Sequence, residues 1–181
     1  MTIFEIALLL FTLLACGSVV ISTLQVGISP MPSSSKARKV ILNCCKGTGT
    51  GPIYELGCGW GNLLIALART YPNRQIVGYE VSLFPWLTCL FLIKLFRLHN
   101  VQLHRENFLK ADLSQAKVIC CYLFPAGMQK LAEKLSSSEA QPDYLISNTF
   151  TLSSQQPQKT IRLEDLYRSP VYLYQLGDNL K

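Results

Sequence analysis

The chain has 181 residues, enough for one domain with a sizeable core, or for one domain and a membrane anchor. Its hydrophobic fraction is 49% and its charged fraction only 15%, against about 25% charged residues in an average soluble domain, which excludes a disordered or coiled-coil protein. The formal net charge of +6 favours an anionic partner or a membrane surface without naming either.

The N-terminal segment predicts a single membrane anchor over residues 1–25. From Ile6 to Leu24 there are 19 uncharged residues, and a helix of that length spans roughly the 30 Å hydrocarbon core of a bilayer. All 17 basic residues lie at or after Lys36, so the positive-inside rule predicts a single-pass membrane protein whose main domain faces the cytoplasm or an equivalent compartment. A cleaved signal peptide would need a basic region before the apolar run. A buried core helix is a second alternative, although this run is apolar on every face.

Residues 26–39 are predicted to be a linker rich in proline and serine, and residues 40–181 one domain. Strand and helix patterns alternate in the domain with short connections, which predicts a mostly parallel sheet with helices on both faces. The predicted strands are Pro52–Leu56, Gln75–Tyr79, Val101–His104, Lys117–Leu123, Tyr144–Ser147 and Val171–Leu176. The predicted helices are the end of one at Val40–Cys45, then Leu63–Thr70, Phe84–Leu98 and Ala126–Leu135.

The helix predicted over Phe84–Leu98 is apolar nearly all round. Its uncharged stretch is too short to span a bilayer, and we favour a helix packed on the sheet with both faces partly covered. The alternative is that Trp86, Phe91 and Phe96 touch the membrane that the anchor holds nearby.

The seven cysteines predict neither a disulfide framework nor a metal site. Four of them form adjacent pairs, at residues 44–45 and 120–121, and no CxxC spacing comes with a matching pair of ligands. The only histidines are His99 and His104, and no cysteine pair at CxxC spacing accompanies them, so a zinc site is not expected. We interpret the cysteines as reduced, small apolar residues of a protein that faces the cytosol.

A glycine loop, Glu55–Asn62 (ELGCGWGN), follows the first predicted strand. Glycines there let the backbone turn sharply near a ligand, and the N-terminus of the next helix offers N–H groups to an anion such as a carboxylate. Dinucleotide enzymes use GxGxxG, whereas this loop has GxGxG after an acidic residue. Glu80 directly follows the second predicted strand and lies 19 residues after Gly61, a position where a carboxylate accepts hydrogen bonds from both hydroxyls of a ribose. Loop, acid and βαβ context together predict a nucleoside ligand.

This constellation resembles motif I and the following acidic residue of class I S-adenosylmethionine-dependent methyltransferases, over Pro30–Leu176. The resemblance implies a Rossmann-like, doubly wound α/β fold of seven strands with a reversed final strand. It also implies S-adenosyl-L-methionine as cofactor, held over the carboxyl ends of the first two strands. The cofactor-binding residues that it implies are Glu55, Gly57, Cys58, Gly59, Gly61, Glu80, Asn107 and Phe108.

The roles that the resemblance implies differ along this set. Glu55 would lie near the methionine amine, the glycine loop would line the methionine and ribose, and Glu80 would bind the ribose. Phe108 would frame the adenine, after Asn107 in the place of the family's usual acid.

Within this superfamily the chain is most similar to one branch. These are the small membrane-anchored protein-lysine methyltransferases of the mitochondrial adenine nucleotide translocase and the ATP synthase c subunit, with their bacterial relatives. The shared order is a membrane helix, a proline-serine segment at Pro30–Ser33, the glycine loop, GYE, CYLFP and SNTF. The usual loop of this branch is Asp-Leu-Gly-Ser-Gly-Asp-Gly, so Trp60 in place of the second aspartate is a departure at the methionine end. Pro32 and Ser33 correspond to a Pro-Thr element that helps to close the cofactor site in the branch.

The catalytic candidates, Tyr122, Phe124 and Pro125, lie at the carboxyl end of the fourth predicted strand. Methyl transfer from a sulfonium is an in-line displacement, so the protein mainly positions a neutral nucleophile and excludes water. Many amine methyltransferases of this class have an aromatic residue and a proline there, beside the target nitrogen, but the same residues can simply end a strand. Residues 148–150 (Asn-Thr-Phe) are a second candidate wall.

The leading hypothesis is a membrane-anchored methyltransferase that acts on a lysine of a membrane protein. One alternative is a lipid or small lipophilic acceptor, which the apolar helix over Phe84–Leu98 would suit equally well. Another is a non-catalytic, membrane-tethered module in which Trp60 obstructs the cofactor. Nucleic acid is not expected as a partner, because the basic residues are scattered and no RNA-binding appendage is present.

Overall fold

The computed structural model describes residues 2–6, 8–10, 12–13, 17, 20, 33–137 and 140–177. None of the helices within these ranges combines the length and the apolar character that crossing a membrane would require. The anchor predicted over residues 1–25 lies largely outside them, as does the first half of the predicted linker.

A seven-stranded sheet forms the centre of the domain. Its strands are β1 (Ile53–Leu56), β2 (Ile76–Tyr79), β3 (Val101–His104), β4 (Val118–Cys121), β5 (Tyr144–Asn148), β6 (Lys159–Arg162) and β7 (Pro170–Gln175). Their order across the sheet is β3-β2-β1-β4-β5-β7-β6. The first five are parallel, and β7 runs antiparallel to both of its neighbours. The predicted mostly parallel sheet and the reversed final strand are therefore confirmed.

Helices cover both faces of the sheet, as predicted. They are α1 (Ser35–Cys45), α2 (Asn62–Thr70), α3 (Leu83–Leu95) and α4 (Pro125–Ser137). The first three contribute to one core cluster through Ile41, Leu64 and Cys89, and α4 contributes to another through Met128 and Leu131. The order of parallel strands reverses between β1 and β4, and in such sheets ligands bind outside the carboxyl ends of the strands at that point.

Helix α1 begins inside the predicted linker. The Ser34 hydroxyl accepts a hydrogen bond from the Ala37 N–H at 3.1 Å, which caps the helix, and Ala37 is only 1% exposed. Residues 35–39 therefore pack as part of the domain. The sequence left this open because a run of serines suits a turn as well as a cap.

Strand β6 has no counterpart among the predicted elements. Its sequence, KTIR, shows no alternation of apolar and polar residues, and three of its four residues are exposed. It pairs with β7 at the end of the sheet, where charged residues such as Lys159 and Arg162 suit an edge strand. The helix predicted to end at Leu98 ends at Leu95, where Arg97 adopts a left-handed φ of 51°.

Candidate cofactor and acceptor site

The glycine loop turns from β1 into α2 through backbone conformations that favour glycine. Gly57, Gly59 and Gly61 have φ angles of 75°, 52° and 79°. At Gly61 a Cβ atom would also lie 2.7 Å from the Cys89 Sγ of α3, closer than real contacts allow. Gly61 is therefore required by conformation and by space.

The loop is held to the end of β2 by main-chain hydrogen bonds. The carbonyl oxygen of Tyr79 accepts the N–H groups of Gly57 and Cys58, each at 2.9 Å. The side chain of Cys58 is 5% exposed and belongs to the core cluster that includes Cys89. Its thiol therefore faces the core, so Cys58 would contribute to a ligand through its backbone.

Glu80 links the glycine loop to the turn that starts α3. One carboxylate oxygen accepts the Gly59 N–H and the other accepts the Ser82 N–H, both at 2.8 Å. Each carboxylate oxygen can accept more than one hydrogen bond. Glu80 can therefore hold the loop and still accept ribose hydroxyls.

Glu55 is buried beside this loop with an unsatisfied oxygen. Its Oε2 accepts no hydrogen bond from any residue that the structure describes. Burial raises the pKa of the Glu55 carboxyl well above its usual range, and the nearby Cys89 and Glu80 raise that pKa further. An isolated buried carboxylate is costly, and a cationic ligand group beside it favours its charged form.

The N-terminus of α2 offers the complementary charge. Its N-cap residue is Gly61, which has no side chain to cap the first N–H groups of the helix. The first main-chain bond of the helix runs from the Ile65 N–H to the Gly61 carbonyl at 2.9 Å, which leaves the preceding N–H groups of the first turn to an anion.

A carboxyl group for an ammonium and N–H groups for a carboxylate lie within one loop. These residues fit the amino-acid end of S-adenosylmethionine: Glu55 and the N-terminus of α2 would hold that end, and Glu80 would hold the ribose. When bound, this cofactor supplies an electrophilic methyl group on a sulfonium.

The residues proposed for the adenine follow β3. The Asn107 side chain accepts the Leu109 N–H at 3.0 Å, and Phe108 is 8% exposed within the core that contains Tyr79. The ring of Tyr79 stacks on His104 at 5.1 Å between centroids. The adenine contacts of Asn107 and Phe108 stay predictions.

The two predicted acceptor walls come together. The rings of Tyr122, after β4, and Phe150, after β5, stack with centroids 6.2 Å apart and an interplanar angle of 18°. A methyl group of Leu123 lies 3.7 Å from the position that a Cβ of Gly57 would occupy. The wall formed by Tyr122 and Phe150 therefore lies beside the glycine loop. The Phe124 ring packs over Gly127 in α4.

Pro125 is the exposed first residue of α4, a position that proline suits. It therefore has a structural role as well as its predicted one. The catalytic roles of Tyr122, Phe124 and Pro125 stay predictions.

Backbone contacts hold Phe150 in place. Thr149 has a φ of 71°, unusual for a β-branched residue, and its N–H donates to the Pro170 carbonyl at 2.8 Å. The Ser147 hydroxyl donates to the Phe150 carbonyl at 2.6 Å. Strained backbone of this kind persists where the surrounding structure enforces it, often at functional sites.

Two residues of the site have no place in the sequence predictions. Cys89 donates its Sγ–H to the Gly59 carbonyl at 3.1 Å, and Ser82 contributes its N–H to Glu80. The signal for Cys89 was a small residue within an otherwise bulky apolar helix. No cluster of three metal-ligating side chains occurs among the residues that the structure describes.

Comparison with known proteins identifies the family. A family model described as the ANTKMT methyltransferase domain matches residues 55–159, more than half of the chain. The chain belongs to this methyltransferase family. A protein-lysine N-methyltransferase of Saccharolobus islandicus is 25% identical over 151 residues, which cover 82% of this chain and 94% of the relative.

Solved structures show the same fold. The structure of an RNA methyltransferase from Salinibacter ruber in complex with S-adenosyl-L-homocysteine superposes with a TM-score of 0.73 and 25% identity, covering 82% of this chain and 95% of that one. For a precorrin-6y C5,15-methyltransferase from Geobacter metallireducens the TM-score is 0.55 at 12% identity, covering 79% and 92%. This second likeness concerns the fold alone.

The protein is therefore an S-adenosylmethionine-dependent methyltransferase, and the predicted enzyme class and cofactor are confirmed. The alternative of a non-catalytic module is not supported. Trp60, which stands where the related branch has an aspartate, is half-buried in the glycine loop.

Proposed function

We propose that this methyltransferase is tethered to a membrane by its N-terminal segment and methylates a lysine side chain of a membrane protein. The observation that carries the proposal is the Tyr122–Phe150 pair beside the cofactor loop. The name of the Saccharolobus relative supports a protein lysine as the acceptor.

An aromatic wall suits an amine acceptor for two reasons. Aromatic faces attract a lysine ammonium as it enters, and an apolar surrounding then favours the neutral amine that can attack. After the ammonium has lost a proton to water, the nitrogen lone pair forms the N–C bond while the S–C bond breaks. Tyr122 and Phe150 would position the nitrogen for this in-line displacement.

The N-terminal segment supports the membrane part of the proposal. Its 19-residue uncharged run is long enough to span a bilayer. Leu8, Leu10 and Leu13 are helical, and each is at least 55% exposed. Exposed apolar surface of this kind usually contacts a membrane or a protein partner. Thr2 and Glu5 exchange side-chain hydrogen bonds with each other's N–H groups, a capping box that starts a helix just before the run.

The test uses the full chain and membranes from cells that lack it. Membranes receive tritiated S-adenosylmethionine with or without enzyme, and protein, lipid and RNA extracts are counted separately. We expect label in a discrete protein band, recovered as methyl-lysine after hydrolysis. Label in the lipid extract would support a lipophilic acceptor instead, and label in RNA would extend the activity named for the Salinibacter relative to this chain.

Variants of the aromatic wall provide the matched comparison. Tyr122→Ala and Phe150→Ala should each lower transfer at least about tenfold with cofactor affinity unchanged, because they remove positioning of the acceptor. Phe96→Ala removes an exposed aromatic ring from outside the site and should keep full transfer. Equal activity of all three variants would refute the proposed wall.

A further inference from the structure

The turn that joins β6 to β7, residues 163–169, exposes two large side chains. Leu166 is 89% exposed and Tyr167 is 84% exposed. They occupy the central positions of a tight turn that closes with a hydrogen bond from the Arg168 N–H to the Asp165 carbonyl at 3.1 Å. Turns usually carry glycine, proline or small polar residues there, so turn geometry does not account for a leucine and a tyrosine.

The base of this β6–β7 turn is well anchored. The Leu163 N–H donates to the Ser169 carbonyl at 2.9 Å, and the Asp165 carboxylate accepts the Ser169 N–H at 2.7 Å. Leu163 itself is 4% exposed and belongs to the core. The turn therefore holds Leu166 and Tyr167 outward.

The β6–β7 turn lies on the same side of the sheet as the candidate site, at the carboxyl ends of the parallel strands. Strand β6 runs in the same direction as β1 to β5, because β7 is antiparallel to both β5 and β6. Its carboxyl end thus shares an edge with the glycine loop and the acceptor wall. The hydrogen bond from the Thr149 N–H to Pro170 joins the wall directly to the start of β7.

The turn also contacts the place where the chain enters the domain. The Lys36 ammonium donates to the Glu164 carbonyl oxygen. Only residues 25–32 separate the end of the apolar run at Leu24 from Ser33. At about 3.5 Å per residue these eight residues span at most roughly 28 Å, so a bilayer that holds the run is within reach of the turn.

Charges around the turn are mixed. Lys36 and Arg162 flank it, and Arg168 lies within it together with the acidic Glu164 and Asp165. The Asp165 carboxylate is engaged by the Ser169 N–H. Exposed leucine and tyrosine side chains beside Arg168 and near Lys36 suit the interface of an anionic bilayer, where rings lie at headgroup level and cations meet lipid phosphates.

We propose that the β6–β7 turn inserts Leu166 and Tyr167 into the interface of an anionic lipid bilayer beside the anchor. This second contact directs the acceptor wall towards the membrane surface. The inference rests on the proposed tethering and adds an orientation to it. A rival orientation exists, since Leu87, Phe91 and Leu95 of α3 are exposed at the β3 end of the sheet, opposite to β6.

The experiment measures depth in the full chain, reconstituted in nanodiscs of phosphatidylcholine with phosphatidylserine. Leu166→Cys and, as matched control, Leu95→Cys are labelled with an environment-sensitive fluorophore, and quenching by doxyl-labelled lipid is compared. The unsubstituted chain, labelled in parallel, corrects for native cysteines. We expect at least twofold stronger quenching at position 166. Stronger quenching at 95, or none at either position, would overturn the proposal.

Recovery of the chain with the nanodiscs separates the two hypotheses. If the unsubstituted chain does not co-purify with the discs, the tethering itself fails. If it co-purifies but position 166 is not quenched, only the orientation fails.

A functional readout complements depth. Replacing Leu166 and Tyr167 by serine suits a turn, so the melting temperature and cofactor affinity should not change. We expect transfer to the membrane acceptor to fall at least threefold, and transfer to the same acceptor in detergent to be unaffected. Leu95→Ser is the control, and undiminished transfer in membranes by the double variant would contradict the proposal.

Discussion

Glu55 and Glu80 are both buried near the carboxyl ends of neighbouring strands, but their surroundings differ. Both oxygens of Glu80 have backbone donors, at Gly59 and Ser82, whereas Glu55 Oε2 has none among the described residues. Glu80 is therefore held in place before a ligand binds, whereas Glu55 would gain a partner from a cationic ligand. We therefore expect different effects from replacing Glu80 and from replacing Glu55.

Replacing Glu80 should weaken cofactor binding. We expect Glu80→Ala to raise the Kd for S-adenosylmethionine at least about tenfold, since hydrogen bonds to a charged group contribute about 1.5–3 kcal/mol each. Glu80→Gln should be intermediate because it keeps one acceptor oxygen. Calorimetry measures the affinity, circular dichroism checks the fold, and the exposed Glu106→Ala is the control. A change below twofold would refute the ribose assignment.

Glu55 should make cofactor binding depend on pH. Because burial raises the pKa of the Glu55 carboxyl, this group stays protonated in the free protein at pH values where an ordinary glutamate is charged. The ammonium of the ligand favours the charged carboxylate instead. Affinity should therefore rise with pH through the raised pKa, with release of a proton on binding. Calorimetry in buffers of different ionisation enthalpy measures that proton. Its absence in the wild type, or its persistence in Glu55→Gln, would contradict this account.

The same pKa shift predicts the stability of the free protein. A carboxyl whose pKa is raised by folding stabilises the fold below its ordinary pKa and loses that contribution as pH rises through the raised value. The melting temperature of the free wild type should thus fall over that interval more than that of Glu55→Gln. Thermal unfolding over a pH series tests this, and parallel curves would count against it.

At the scale of elements, α3 and the glycine loop depend on each other. Only Pro85 and Cys89 are buried in α3, and Cys89 contacts the loop at Gly59 and Gly61. The predicted packing of this helix on the sheet is thus correct, but few side chains carry it. Much of its apolar surface stays exposed, which keeps the predicted alternative of a membrane contact testable.

A pair of glycine substitutions tests this contact. Gly49 and Gly61 have φ angles of 73° and 79°, but a Cβ at Gly49 would meet no atom of the described residues within 4 Å. Gly49→Ala should cost about 1–2 kcal/mol of stability from conformation alone and leave cofactor affinity intact. Gly61→Ala adds the clash with Cys89, which would displace the glycine loop. We expect it to weaken cofactor binding at least about tenfold, because displaced groups no longer align with the ligand. Equal Kd values for the two variants would show that the contact does not shape the site.

At the scale of the whole molecule, distant segments build the acceptor side. Strand β7 pairs with β5 along Tyr144–Asn148 and carries the fully buried Tyr174. The Tyr174 hydroxyl accepts the Leu152 N–H at 2.9 Å, which ties the chain after Phe150 to the sheet. The C-terminal strands therefore support the proposed acceptor wall at Tyr122 and Phe150.

Removing that hydroxyl should destabilise the domain. Tyr174→Phe leaves the buried Leu152 N–H without its acceptor, which costs about 1–3 kcal/mol. Denaturant unfolding should show this loss, and cofactor affinity should stay the same because the glycine loop lies on the other side of β4. Tyr172→Phe on the same strand is the control for a lost tyrosine hydroxyl. Equal stability of the two variants would mean that the Leu152 hydrogen bond contributes little.

The sequence by itself determined the class of cofactor: local spacing predicted a nucleoside ligand, and the resemblance to class I methyltransferases implied S-adenosylmethionine. The GxGxG loop, the acidic residues at 55 and 80 and the alternating strands and helices predicted a nucleoside ligand and the observed fold, whereas the roles of single residues in the site stay predictions. The membrane anchor and the lysine acceptor also come from sequence, and they stay predictions. Local patterns suffice for these features because a turn, a helix N-terminus and a strand end use neighbouring residues.

Only the tertiary structure decided which distant residues meet. It paired Tyr122 with Phe150, set Cys89 against Gly61, and added β6 as an edge strand whose KTIR pattern has no period. It also brought the turn with Leu166 and Tyr167 beside Lys36 at the start of the domain. Such contacts depend on strand order and packing between segments far apart in the chain, which a local pattern does not encode.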